Sequence, residues 1–189
     1  MSINYNIFII GVGGQGIGLL SEVLIRAAYY AKIQAKGVDT HGLAQRGGTV
    51  TSQIRLGDKA FSPLIPEGKA DIVIALERHE ALRGMNSHLK NGGDLVFYDA
   101  VWQPLDVRLR QVGELQNETI EAECKRRKIN YHRVFIDDLK DSRMQNVAVL
   151  GHISKHKLIP GIARKNYLQA ITDLLKGTVL ETNLQVFDH

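Results

Sequence analysis

Gly11-Val12-Gly13-Gly14-Gln15-Gly16 is the first stretch whose residue types and spacing can do chemistry. Gly11, Gly13 and Gly16 fall on a G-x-G-x-x-G spacing, after the apolar run Ile7-Phe8-Ile9-Ile10 and before an amphipathic run over residues 17–31. A phosphate-cradling loop requires that order of strand, loop and helix. The first glycine allows a tight turn, the second brings the main chain close to a ligand without an intervening Cβ, and the third lets the helix pack closely on its strand. The free N–H groups of the helix's first turn then face an anion. The competing reading of the same residues is a purely structural turn.

A second stretch, Asp39-Thr40-His41-Gly42-Leu43-Ala44-Gln45-Arg46-Gly47-Gly48, is polar and glycine-rich and has neither helical nor strand periodicity. It follows a strand expected over residues 32–38, so it leaves the carboxyl end of a strand, the rim on which the first loop also lies in a doubly wound sheet. His41, Gln45 and Arg46 supply an imidazole, an amide and a guanidinium able to hold a carboxylate, a phosphate or a carbonyl oxygen. The alternative is a turn at Gly47-Gly48 with Arg46 as a surface charge. A dinucleotide site would want an acidic ribose ligand about 20 residues beyond the glycines, and Asp39 comes late for it. His152 and His156 share a helical face, but two ligands are too few for a metal site, so none is expected.

These loops need a scaffold that presents them together, and the pattern reads as an α/β, Rossmann-like three-layer sandwich with a mostly parallel sheet and an added β-hairpin. The N-terminal unit is a βαβ whose helix carries Leu19, Leu20, Val23, Leu24 and Ala27 on one stripe. Residues 49–56 alternate and, through Gly57-Asp58, are expected to form the hairpin with Ala60-Phe61. After Pro63 and Pro66 come a buried strand over 71–76, a helix over 77–89, a turn at Asn91-Gly92-Gly93 and a strand over 95–98. Trp102-Gln103-Pro104 reads as a loop and residues 107–109 as a short strand. A helix over 118–128, a strand over 131–136, and a helix over 144–156 capped at Asp141-Ser142 follow. A last helix after Pro160 has an apolar face of Tyr167, Leu168, Ile171, Leu174 and Leu175, with Gly177 at its stop.

The chain of 189 residues, 44% of them apolar, is long enough for one domain over 1–189 with a sizeable core. No apolar run approaches the roughly 20 residues of a membrane span and Met1 to Tyr5 hold no basic leader, which predicts a soluble cytoplasmic protein. The single cysteine, Cys124, excludes an internal disulfide and any cluster held by four thiolates of this chain alone. The formal charge is +4, and its densest basic cluster, Lys125-Arg126-Arg127-Lys128, ends a helix that begins with Glu118, Glu121 and Glu123. Acid early and base late complement the helix dipole. No aromatic residues are interleaved to stack bases, which argues against a nucleic-acid partner.

The two glycine segments, with Ser62-Pro63-Leu64-Ile65-Pro66-Glu67-Gly68, Ala70-Asp71, Asn146 and Leu150-Gly151, resemble the small catalytic-domain subunit of 2-oxoacid:ferredoxin oxidoreductases. The similarity is greatest to the beta subunit of indolepyruvate ferredoxin oxidoreductase, equivalent to the gamma subunit or domain of the pyruvate enzymes. The segment from His41 to Gly48 carries that preference, with Leu43 where methionine is common. The resemblance implies an enzyme that decarboxylates a 2-oxoacid, joins its acyl group to coenzyme A and passes electrons to ferredoxin. It implies a large partner subunit holding thiamine diphosphate and iron–sulfur clusters. This chain, inactive alone and prone to self-association when isolated, would contribute Gly11, Gly13, Gly14, Gln15, Gly16, His41, Gln45, Arg46, Gly47 and Gly48 to the oxoacid, coenzyme A or thiamine phosphates, with no catalytic acid or base assigned. Two other classes share the first loop: an independent dinucleotide-dependent oxidoreductase, and a non-enzymatic nucleotide-sensing module. An adenylating enzyme would need cysteine-bound zinc, which one cysteine cannot supply.

Overall fold

The computed structural model describes residues 3–40, 48–101 and 114–189. The segment from His41 to Gly47, and Trp102 with the strand expected over 107–109, lie outside the described residues. The described elements run, in order, β1 (Tyr5–Val12), α1 (Ile17–Tyr30), β2 (Ala35–Thr40), β3 (Thr49–Leu56), β4 (Ala70–Ala75), α2 (Arg78–Ser87), β5 (Leu89–Tyr98), α3 (Asn117–Arg127), β6 (Asn130–Val134), α4 (Gln145–His156), α5 (Arg164–Leu174) and α6 (Gly177–Phe187). None of these helices is long and apolar enough to cross a membrane.

The strands form one six-stranded sheet in the order β2-β3-β1-β4-β5-β6. β1 pairs in parallel with β4, β4 with β5 and β5 with β6, while β3 runs antiparallel to both β1 and β2. Five strands therefore point one way and β3 points the other. Strand alternation sends successive side chains to opposite faces. Ile7 and Ile9 accordingly join Ile72, Ile74 and Val96 in a core with α1, α4, α5 and α6, whereas Phe8 and Ile10 join Val73, Leu95 and Phe97 in a second core with α2 and α3. Both faces of the central strands are covered, which is why they read as unbroken apolar runs.

Several expectations are corrected by this topology. The hairpin partner of residues 49–56 is β2, through the register Ala35↔Leu56 to Thr40↔Thr51, and residues Ala60-Phe61 form no strand. β3 also wedges between β2 and β1, so the N-terminal β-α-β unit does not place its two strands side by side. β2 begins only at Ala35, because Lys32 holds a left-handed φ of 60° just after α1. Asn91-Gly92-Gly93 does not separate a helix from a strand but lies inside β5, where the register with β4 shifts. Gly177 does not stop the preceding helix: α5 ends at Leu174, and Gly177, with φ 57°, is the first residue of α6.

The basic end of α3 behaves in part as a solvated helix end. Lys125 and Arg126 pair with Glu121 and Glu123, while Arg127 turns inward to the Met85 carbonyl at 2.7 Å and so ties α3 to α2. Gly151 allows a comparable approach on the other face, since a Cβ there would sit 2.3 Å from the Phe187 carbonyl oxygen. Gly151→Ala is thus expected to push α6 off α4 and to destabilise the chain by about 2 kcal/mol, the overpacking cost exceeding alanine's better helix propensity. Thermal unfolding would show this as a lower Tm, and an unchanged Tm would mean that α6 yields freely.

Candidate functional site

The carboxyl ends of β1, β2, β4, β5 and β6, and the start of β3, lie on one rim because β3 alone is reversed. The first glycine loop leaves β1 at Val12. Its turn is closed by Gln15, whose backbone N–H donates to the Val12 carbonyl at 3.1 Å. The Gln15 side chain faces inward, 2% exposed: Oε1 accepts from the Val12 N–H at 2.8 Å and Nε2 donates to the Leu76 carbonyl at 3.2 Å. Both ends of the amide hold the loop against the end of β4. Gly11 supplies the room for this, since a Cβ on it would lie 2.8 Å from Gln15 Oε1.

Gly14 and Gly16 take left-handed angles, φ 103° and 80°, which only glycine adopts without strain. A Cβ at Gly14 would meet nothing within 4 Å, so the loop is open there. Gly16 caps α1 with its backbone alone: no side chain caps the helix and its first turn has no acid. Asn146, at the start of α4, donates to the Gly16 carbonyl at 3.0 Å. The described part of the second glycine segment arrives beside this loop, for the Gly13 N–H donates to the Gly48 carbonyl at 2.9 Å. Gly11, Gly13, Gly14, Gly16 and Gly48 are brought together, Gln15 lies behind them, and His41, Gln45, Arg46 and Gly47 lie outside the described residues. Asp39, the alternative ribose ligand, accepts from Ser21 Oγ at 3.2 Å, and Ser52 Oγ in turn donates to Ser21 Oγ at 2.9 Å.

Carboxylates line the neighbouring part of the rim. Asp99, directly after β5, receives hydrogen bonds from Arg78 of α2, Arg133 of β6 and Asn117 of α3. Burial pushes its carboxyl up, but the three donors together outweigh that and hold it below its ordinary value. Glu77 caps α2, accepting from the Glu80 N–H, and its carboxylate is 1% exposed. Glu80 Oε1 takes the Thr49 hydroxyl at 2.9 Å and Arg83 at 2.7 Å, while Oε2 is buried without a partner among the described residues. Burial raises the Glu80 carboxyl, with a smaller push from Glu77, against Thr49, Arg83 and His79. None of Glu77, Glu80 and Asp99 emerges as a site residue from motif spacing. Their only signal is position, an acid immediately after an apolar strand or in the first turn after one.

Groups away from the rim are less promising for chemistry. Cys124 packs on Met85 and burial pushes its thiol up to about 11. His152 is pushed down to about 4, by burial first and then by His156 and His132, so it stands as a neutral, half-buried imidazole 3.3 Å from His132. No three ligating side chains converge as a metal would require among the described residues.

Asp99→Asn is expected to cost about 2 to 3 kcal/mol of stability, less than a fully buried pair because Arg133 is half exposed. The sign with pH follows from the lowered carboxyl: the stabilisation is present above 3.8 and disappears as pH falls through the lower folded value. Acid titration of unfolding should therefore show the parent losing its advantage over Asp99→Asn below that pH, and parallel curves would refute the assignment.

A match to the family described as pyruvate ferredoxin/flavodoxin oxidoreductase covers residues 6–189. The indolepyruvate oxidoreductase subunit IorB of Pyrococcus horikoshii is 46% identical over 96 residues, which are 51% of this chain and 46% of that protein, so the match spans about half the length of this relative. The keto/oxoacid ferredoxin oxidoreductase gamma subunit of Geobacter sulfurreducens superposes with a TM-score of 0.63 at 20% identity, over 97% of this chain and 94% of the other. The 2-oxoglutarate:ferredoxin oxidoreductase of Magnetococcus marinus, solved with 2-oxoglutarate, coenzyme A and succinyl-CoA bound, gives 0.69 at 19% identity, over 98% of this chain and 30% of that one. The superpositions show that this chain shares the α/β fold of these structures. With the family match reaching from the first strand to the last helix, the chain belongs to the pyruvate ferredoxin/flavodoxin oxidoreductase family.

Proposed function

We propose that this chain is the small subunit of a 2-oxoacid:ferredoxin oxidoreductase acting on indolepyruvate or a related arylpyruvate. The oxoacid loses carbon dioxide, its acyl carbon is joined to coenzyme A, and the electron pair released passes to ferredoxin. The observation that carries the reading is the contact between the two motif segments at Gly13 and Gly48, on a rim otherwise open at Gly14. A helix start with no side-chain cap, beside glycine backbone, fits an anion such as a phosphate of coenzyme A or of thiamine diphosphate, which the first-turn N–H groups of α1 would hold. Gly11, Gly13, Gly14 and Gly16 would shape that cradle, Gln15 would keep it rigid from behind, and His41, Gln45, Arg46, Gly47 and Gly48 would face the ligand or the partner.

The large subunit would hold thiamine diphosphate, which supplies the electron sink for decarboxylation, and the clusters, which take the electrons. One buried cysteine cannot bind a four-thiolate cluster, so the residues of this chain do not fit the clusters. Its share of the work is to position and enclose. An independent dinucleotide enzyme is the weaker alternative, because the Asp39 carboxylate is engaged by Ser21.

Coexpression with a large thiamine- and cluster-bearing subunit, assayed by coenzyme A-dependent dye reduction on indolepyruvate, phenylpyruvate and pyruvate, tests the reading. Activity is expected only in the pair, and the chain alone is expected to be colourless and iron-free. Turnover by this chain alone with added thiamine diphosphate would overturn it. In the active pair, Arg46→Lys keeps the charge but loses the planar fork, so kcat/KM is expected to fall by about 1 to 3 kcal/mol of transition-state binding. Parental kinetics with weakened subunit affinity would instead move Arg46 to the interface.

A further inference from the structure

Gly48 carries the carbonyl that meets the glycine loop, and the next residue, Thr49, opens β3 opposite Val12. Backbone pairing holds this point from the β1 side. From the other side Thr49 reaches α2: its hydroxyl donates to Glu80 Oε1 at 2.9 Å and accepts from Arg83, which also donates to Glu80 at 2.7 Å. A hydroxyl has one proton and two lone pairs, so donor and acceptor roles are both in use.

The far end of this contact is rigid. Glu80 sits in the first turn of α2, its N–H on the Glu77 carboxylate. Arg78, two residues earlier, is tied to Asp99 by its side chain and to the Ala100 carbonyl at 3.0 Å by its N–H. A continuous set of bonds thus runs from the end of β5 through the start of α2 to the start of β3, and from Gly48 to Gly13. Glu80 is 5% exposed, and burying a carboxyl whose Oε2 has no partner among the described residues is costly for a residue that serves only to decorate a helix.

We propose that Glu80 is a positioning residue for the rim, holding the Gly48-Thr49 re-entry point against the glycine loop through the Thr49 hydroxyl. The inference rests on the rim being the working face of the oxidoreductase. What the contact requires is one acceptor oxygen facing Thr49 and Arg83. Glutamine can provide that oxygen, and alanine cannot.

The test uses Thr49→Val, Thr49→Ser, Glu80→Gln and Glu80→Ala in the 189-residue chain, alone and assembled with the large subunit. Hydrogen exchange is followed by mass spectrometry in peptides spanning Gly13 and Thr49, and kcat/KM is measured on the assembled enzyme. Thr49→Val and Glu80→Ala are expected to speed exchange in both peptides and to lower kcat/KM about tenfold at unchanged subunit stoichiometry, while Thr49→Ser and Glu80→Gln stay near the parent. Thr49 lies on the exposed end of β3, so its variants keep the readout available if Glu80→Ala does not fold. Parental exchange and parental kinetics in Thr49→Val would overturn the proposal, as would equal losses in Thr49→Val and Thr49→Ser. Faster exchange in Thr49→Val, with no oxoacid turnover by the parental pair, would leave the positioning role standing and remove the oxidoreductase reading.

Discussion

β3 pairs antiparallel with β1 from Tyr5↔Leu56 to Val12↔Thr49, and the arrangement of the rim depends on that register. A chain that left β2 and entered a parallel strand would need a crossover, and that strand would begin at the opposite end of the sheet. Reversal of β3 keeps the exit from β2 and the entry to β3 at the same end as the glycine loop. Register matters as much as direction. A shift of one residue would turn Ile54 and Leu56 away from the core and expose them, so burial of these two side chains fixes Thr49 opposite Val12 and Gly48 beside Gly13.

The second feature of the rim is how its buried acids are balanced. Asp99 has two guanidinium donors and one amide, enough to keep it ionised despite burial. Glu77 is used as a helix cap, where backbone N–H groups and the helix dipole favour negative charge. Glu80 has the weakest compensation, with an exposed arginine and a hydroxyl on one oxygen. Asp99 and Glu80, at adjoining strand and helix ends, therefore differ in proton affinity because of their partners. A low-dielectric neighbourhood amplifies such differences.

Local order was legible in the sequence. Glycine spacing, apolar runs and helical stripes located β1, α1, β4, α2, α3, β6 and α4 closely, because each is dictated by residues near in the chain. Pairing was not, because it depends on partners far away. The alternation over residues 49–56 announces a strand but is silent about lying between β2 and β1, and Ala60-Phe61 offered a nearer partner that tertiary packing did not use. Gly177 can end one helix or begin another, and the apolar face of α6, spread over Leu180, Leu184 and Phe187, decides only once the core is assembled. Within the site, the glycine loop could be read directly, whereas the inward turn of Gln15 depends on Leu76, 61 residues away, and the Thr49–Glu80 contact spans 31.

The placement of Cys124 has a consequence for handling the protein in air. Its sulfur lies between α3 and α2 against Met85, and a thiol held at about 11 is ionised in only about one molecule in ten thousand at neutral pH. Oxidation and disulfide exchange both begin from an accessible thiolate. This chain therefore offers oxygen or peroxide no ready thiolate and cannot cross-link through a disulfide to a second copy without first opening the α2–α3 layer. Aerobic inactivation of an assembled enzyme would leave its covalent structure unchanged at this position.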